Sequence, residues 1–543
     1  MTLWSHGRGQ ASIAASGGFA FGIAPTMKWI LLCLALLAGS SLATTYCVEL
    51  TGNDDHDGLE GSPWRTLAKA CQAIEADQGH IIRIGEGTFT ETEILHFKSG
   101  VSLIGAGSGK TNILVNHRFS LTDAVSNANP HVHTFPGHFV IQMNGSNQVV
   151  KGFSLDGQNK TCHGGIFAPW TRDVIFEDLH ISNFRYCGLW VIDANETILR
   201  FSRFKNNTYG NPKPSGEGGG DSGAIQYHRG KNLVIHDNHI EETGNLGPDK
   251  GGYAMKAQDR NYSVSDSNIL EGLRIYNNTL IVPTHGAWEN GMAPAISAEF
   301  LAMALKDCEI HHNIINNHIS LAVSASFGKG IRIHHNFFNL GWGRYAYGVE
   351  AMMDNVEIDH NHFYGGIYPI AVWGKHPKNH HLHHNIFEGA CAGPFVNREL
   401  LQYKAPVENL RFIHNTIIDN GGIGRIFALH ESSSYEARNN LIYRTLEPKD
   451  IWGTAIGGEI SHNFFGNTTP HGKKPITGDA AITLAEGRPL RPPYYTIADK
   501  SPILGQGASI PPLPDGSAAL APDLGAIQNG VPFTLPFQAH ETN

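Results

Sequence analysis

Short apolar and polar positions alternate along most of this chain, and the runs recur with a regular step. In the run Ile331, Arg332, Ile333, His334 the two-residue alternation predicts a strand with one buried face. Such runs end in one phrase, an Asn followed by two residues, usually apolar; nine copies lie between residues 236 and 465. Examples are His311-His312-Asn313-Ile314-Ile315, His334-His335-Asn336-Phe337-Phe338 and Ser461-His462-Asn463-Phe464-Phe465. From Asn313 onward the Asn residues are 23, 25, 24, 30, 25 and 23 residues apart. A repeat of that length cannot bury its apolar face alone, so the units must stack. The expected fold is all-β: a single-stranded right-handed parallel β-helix (solenoid) with a short N-terminal capping helix. Thr66 or Ser62 is placed to cap that helix over residues 67–76, where its apolar face covers the open end of the coil.

The pattern divides the chain into four parts. Residues 1–43 are an N-terminal extension and signal peptide; residues 44–78 hold a turn-rich stretch and the capping helix. Residues 79–470 are the β-helix, and residues 471–543 a Pro-rich closing segment. Segments 116–138 and 206–222 read as loops projecting from the coil. Met27 and Lys28 precede an apolar core at residues 29–37, too short to span a bilayer, with small residues for cleavage near Ala43. Met27 is an alternative start. The expectation is a secreted or periplasmic chain with no stable membrane insertion after cleavage, and a monomer. Six cysteines follow: Cys47, Cys71, Cys162, Cys187, Cys308 and Cys391. Export permits disulfides, with Cys162–Cys187 and Cys47–Cys71 as the pairs to test against free buried thiols.

Three motifs carry a resemblance. They are Gly52-Asn53-Asp54-Asp55-x-Asp57-Gly58, Pro63-Trp64-Arg65-Thr66-Leu67-x-Lys69-Ala70, and Ile82-x-Ile84-Gly85-x-Gly87-Thr88-Phe89. Together with the closing Asp523-Leu524-Gly525-Ala526 they resemble secreted right-handed β-helix proteins of the pectate-lyase-like superfamily. The resemblance covers nearly the whole mature chain and implies the fold. It leaves the activity open, since that superfamily holds lyases, hydrolases, epimerases and binding proteins. No Gly-His-Gly, paired-Asp strand motif or Arg-x-Pro-x-x-Arg signature narrows the sub-family.

Composition removes some functions. The net charge is −9 and no basic run follows a phosphate backbone, so nucleic acid is not an expected partner. The 31 histidines suggest metal, but pairs such as 311–312, 334–335, 380–381 and 383–384 read as sitting at one phase of the coil beside the turn Asn. The expectation is therefore a stacked ladder of Asn amides, with Asn taking the left-handed turn geometry, and no metal site. Asn53, Asp55 and Asp57 alternate as in a calcium loop, yet position twelve is Trp64 where a Glu is required. An Asx turn is the preferred reading. No cofactor is demanded by the sequence, and calcium is the one left open.

Aligning the strands that precede each Asn phrase exposes a candidate working face. If Met255, Ala257, Ile296, Val323 and Val349 point inward, one outward file reads Gln226, Lys256, Ser297, Ser324, Glu350, Trp373. A second reads His228, Gln258, Glu299, Ser326, Met352, Lys375. Flanked by Trp190, this is a polar groove suited to sugar rings, whose faces are apolar and whose edges carry hydroxyls. Gln226, Gln258, Trp190, Trp373, Lys375 and Asp221 are the candidate substrate-binding residues.

Lys256 is the first candidate for chemistry, because a lysine between apolar strand neighbours can act as a base. Many polysaccharide lyases of the family it resembles use Lys or Arg to take the proton beside a uronate carboxylate. The resemblance thus implies β-elimination by Lys256. Beside it, Arg274 is the candidate to neutralise the carboxylate, although it is expected on a different strand of the same coil, and His228, on the neighbouring coil, is the candidate donor to the leaving oxygen. The leading reading is a polysaccharide lyase, or related epimerase, on an acidic glycan. One alternative is a glycoside hydrolase: Glu299 and Glu350 are expected two coils apart, roughly 10 Å, near the upper limit for an inverting pair and too far for a retaining one. Glu217 and Asp221 are further carboxylates for that role. The other alternative is a non-catalytic carbohydrate-binding or surface protein.

Overall fold

The computed structural model describes residues 43–527 except 117–138, 144, 159–163, 185–186, 209–222, 243–252, 258–268, 283–295, 299–303, 318–322, 326–327, 341–346, 373–375, 390–398, 421–422, 454–457, 485–494 and 509–522. The chain separates into two units, Met1–Ala43 and Thr44–Asn543, and the second is the one described below.

Nearly all described strands, 41 of them, join one sheet in which every pairing is parallel. Each strand pairs with its equivalent one coil later, as Ile235 with Ile275 and Ile310 with Ile333. That is a parallel β-helix, and its strands stack into three walls. The first wall includes Cys187–Asn195, Gly223–Lys231, Tyr253–Ala257 and Tyr347–Ala351. The second includes Arg274–Tyr276, Gly328–His334, Asp354–Asp359 and Lys378–His383. The third includes Thr279–Val282, Phe337–Leu340 and Thr416–Asp419.

Inward files from the three walls meet in one continuous apolar core. Ile333, Ile358 and Leu382 line it from the second wall and Phe363 and Phe387 from the third, all buried. Phe338, Phe363 and Phe387 stack at 4.6 and 5.0 Å between ring centroids, close to the spacing of paired strands.

The coil starts earlier than the period suggests. Thr45–Val48 already pairs with Ile81–Ile84, so the first rung precedes the capping helix. That helix runs Leu67–Ala73, three residues shorter than expected, with Thr66 accepting from the Lys69 backbone N–H at 3.2 Å. The acidic stretch before it holds two Asx turns, Asp55 N–H donating to Asn53 Oδ1 and Leu59 N–H to Asp57 Oδ1, while Asp54 ties the stretch to the helix start by accepting from Arg65 and Thr66 N–H.

The described residues of the C-terminal segment pack against the side of the coil. Ala480, Tyr495, Ile503, Leu524 and Ala526 form a second apolar cluster with Phe337, Ile386, Ile418, Leu441 and Phe464, which face outward from the third wall. The segment therefore covers a flank, pinned where Tyr495 Oη meets Thr416 Oγ1 at 2.7 Å.

Cys47, Cys71, Cys187 and Cys308 are buried free thiols. Of the two alternatives the sequence left open, the free buried thiols hold here, and the Cys47–Cys71 and Cys162–Cys187 bridges are not formed. Cys162 and Cys391 lie outside the described residues, as do residues 117–138 and 209–222, where projecting loops were expected.

Candidate functional site

Strand pairing on the first wall supports the expected parity. Ile225 pairs with Met255 and both lie in the core, which leaves Gln226 and Lys256 on the opposite face. The file runs Trp190, Gln226, Lys256, Ser297, Ser324, Glu350 through successive pairings. The next member is Ala371, not Trp373, because Val349 pairs with Ile370. A two-residue slip keeps the face and moves the rung position, so alternation alone cannot detect it. Trp373 itself lies outside the described residues, as do Gln258, Glu299, Ser326, Lys375, Glu217 and Asp221. Met352, expected outward in the second file, packs against the core.

This face is covered where a solvent-facing groove was expected. Gln226 and Lys256 both have 0% exposure, and Trp190, His228 and Glu350 are buried too. Trp190 is no open platform for a sugar. It sits in a small cluster with Phe139, Cys187 and Ile192, its ring edge-on to Phe167 at 5.6 Å. Gly223 gives Lys256 its room: a Cβ there would lie 2.9 Å from Lys256 Cβ. Both polar atoms of the Gln226 amide lack a hydrogen-bond partner. An unbonded buried amide costs on the order of 1–3 kcal/mol per group, which makes Gln226 an unusual choice for a purely structural position.

Arg274 does not join Lys256. It stands on the second wall, its Nη1 donating to Asp307 O at 2.6 Å and its Nε 3.0 Å from a Glu309 carboxylate oxygen. The carboxylate-neutralising role expected for it is therefore not supported by its position.

The turn between the second and third walls carries the ladder. Asn238, Asn278, Asn313, Asn336, Asn361 and the later copies are buried, each donating its N–H and its side-chain amide to Oδ1 of the next. The left-handed geometry falls on the residue before the Asn. His312, His335, His360, His384 and His414 have φ of 51–54°, which frees each Asn to aim its amide along the stack. Their rings stack as well, His312 on His335 at 4.9 Å and His335 on His360 at 4.8 Å.

The pair 380–381 breaks the pattern. His380 points into the core, its Nδ1 3.0 Å from Tyr403 Oη and its Nε2 2.7 Å from Met353 O. His381 points outward, in a file otherwise filled by charges: Arg274, Glu309, Arg332, Glu357, then Arg411 and Glu436. Beside that file, His334 Nε2 lies 2.6 Å from Glu309 and His383 Nε2 3.0 Å from Glu357. Arg332 grips Asp359 bidentately at 2.8 and 2.7 Å, and His360 Nδ1 reaches the same carboxylate at 2.8 Å.

These contacts set the charge states. Burial opposes ionisation of Asp359, but the His360 and Arg332 contacts hold its carboxyl far below the usual range. Burial, reinforced by neighbouring histidines, lowers His311 to about 4 and His335 to about 3. Most of this strip was missed in the sequence; the signal was the alternation of His381 and His383 about an apolar Leu382.

A family model for the right handed beta helix region matches residues 139–338. It supplies the hand of the coil, so the solenoid is a right-handed β-helix. No curated protein matches the chain. Among solved structures, an alginate lyase from Paenibacillus sp. str. FPU-7 is similar at 14% identity and a TM-score of 0.37, over 63% of this chain and 97% of that one. The pectate lyase Pel9A is similar at 14% identity and a TM-score of 0.31, over 90% and 98%. PfbA, a surface adhesin of Streptococcus pneumoniae, is similar at 14% identity and a TM-score of 0.43, over 83% and 98%. What this coil works on is a matter for its own residues.

Proposed function

We propose that this right-handed β-helix protein is exported and acts on an acidic polysaccharide by β-elimination, with the first wall as its working face. Lys256 takes the proton from the carbon beside the uronate carboxylate. The glycosidic C–O bond to the leaving sugar breaks, a carbon–carbon double bond forms in the uronate, and His228 protonates the leaving oxygen. The observation that carries the reading is the Gln226–Lys256 pair: two costly polar side chains at 0% exposure on the outward face, with the Gln226 amide unbonded. A buried amide left unbonded at such cost, as at Gln226, is expected where a ligand supplies the missing bonds.

The motifs at the two ends of the chain, similar to those of pectate-lyase-like β-helix proteins, support the scaffold on which such chemistry is found, and the apolar core at residues 29–37 supports export. Because Lys256 has 0% exposure, this reading requires that its amine become accessible when a glycan binds. Arg274 stands on another wall, so a different cation must neutralise the carboxylate, and calcium is the first to supply.

The test is a panel of acidic and neutral polysaccharides, with and without calcium, followed by the ultraviolet absorbance of an unsaturated uronate. Wild-type protein should produce that chromophore and Lys256→Ala should not, with the fold of the variant checked by circular dichroism. Reducing ends without the chromophore would point to hydrolysis, and product formation by Lys256→Ala would remove it as the base. One observation favours a second reading: at 0% exposure Lys256 is not poised to meet a substrate. A non-catalytic glycan-binding protein would retain a polysaccharide on an affinity gel and release no product.

A further inference from the structure

We propose that His381, His383 and Glu357 form a site for one divalent transition-metal ion of the zinc type on the outer face of the second wall. The strand Lys378–His383 alternates, with His380 and Leu382 buried toward the core. His381 and His383 therefore project together from the other face, two residues apart. Glu357 is the strand partner of His381 in the neighbouring rung. The three side chains bring one donor atom each within 4.8 Å of one another.

A tetrahedral zinc ion at about 2.0–2.2 Å from each ligand needs donors roughly 3.3–3.5 Å apart. Glu357 Oε1 and His383 Nε2, hydrogen-bonded at 3.0 Å, lie just inside that spacing, and a small outward shift lets both face one ion. The His381 ring, 4.6 Å from that of His383 and tilted by 48°, closes the remainder by rotating about its side-chain bonds. Two imidazoles and one carboxylate select a borderline ion such as zinc, cobalt or nickel over hard calcium, which takes oxygen ligands.

The surroundings hold the ligands in place. His383 Nδ1 lies 2.9 Å from His384 Nδ1, so its second ring nitrogen is oriented while Nε2 faces the site. His384 is itself clamped, stacked on His360 and on His414 at 4.9 Å each. Arg332 comes within 3.9 Å of Glu357, but its guanidinium is committed to Asp359 through two shorter bonds. That commitment also decides against two overlapping clusters, His334–His335–Asp359 and Asp359–His360–His383. An ion there would have to displace Arg332 from Asp359. The Glu357 site asks for no such exchange.

The site stands on a different wall from Lys256 and is independent of the glycan reading. It is tested on the full chain, stripped with a chelator and titrated with cobalt, then with zinc in competition. Wild-type protein should bind one cobalt ion per chain with visible absorption typical of low coordination, and zinc should displace it. His381→Ala and Glu357→Gln should each weaken binding at least ~100-fold, while the ladder variant His312→Ala binds as wild type. Circular dichroism checks that each variant is folded; His381 and Glu357 are not fully buried, so their replacement leaves the coil standing. Absence of a stoichiometric ion in the wild type, or unchanged binding in both variants, overturns the proposal.

Discussion

Asn336 donates its side-chain amide to Asn361 Oδ1 at 3.0 Å and its backbone N–H to the same oxygen at 2.9 Å. The same amide reaches Ile310 O and His334 O, while Asn336 Oδ1 accepts twice from Asn313. One buried side chain thus ties three successive rungs. Replacing it with Ala strands buried donors of Asn313 and two carbonyls, each costing about 1–3 kcal/mol. Partial relaxation makes the expected loss for Asn336→Ala about 3–5 kcal/mol, read as a drop in the urea midpoint. A midpoint within error of wild type would mean the ladder is ornamental.

Acid should unfold the coil before the carboxylates alone would require it. Burial lowers His311, His380 and His414 to about 4 and His335 to about 3. A histidine lowered in the folded state contributes stability that is complete above its unfolded value near 6.5. That contribution is lost as pH falls toward the folded value, because only the unfolded chain takes up the proton. Glu91 and Glu242 act the other way: burial raises both to about 7, so between 4.5 and 7 they favour the fold as pH falls. The four histidines outnumber the two carboxyls. The melting temperature is therefore expected to fall steadily from pH 6.5 to pH 4, and a flat profile there would contradict the neutral ladder.

Gln226 separates stability from function. Its amide has no bonding partner at 0% exposure, so Gln226→Leu removes a desolvation cost while keeping the volume of the site. Stability should be unchanged or raised by up to about 2 kcal/mol. Glycan retention, or product formation, should fall at least ~10-fold if the amide meets substrate. A variant that is destabilised instead would show that the amide serves the fold.

Much of the architecture was legible in the order of residues. The period of the Asn phrase required stacked coils, the alternation Ile331, Arg332, Ile333, His334 assigned the inward face, and Thr66 marked the helix start. The candidate face was read with the right parity from Trp190 to Glu350, because side-chain direction follows from a two-residue repeat within each strand.

Other features were settled only by the tertiary structure. Ala371 rather than Trp373 follows Glu350 because a slip of two residues leaves the alternation unchanged. His380 turns inward although it is written beside His381 like a ladder pair, since its phase depends on the pairing of Val356 with it. Arg274 is held by Glu309 on another wall, and the C-terminal segment lies along the flank of the third. Lys256 is buried, which alternation does not reveal. Local sequence determines which side of a strand a residue occupies, through backbone geometry that repeats every two residues. What then covers that side is decided by segments distant in the chain, and no local period records their approach.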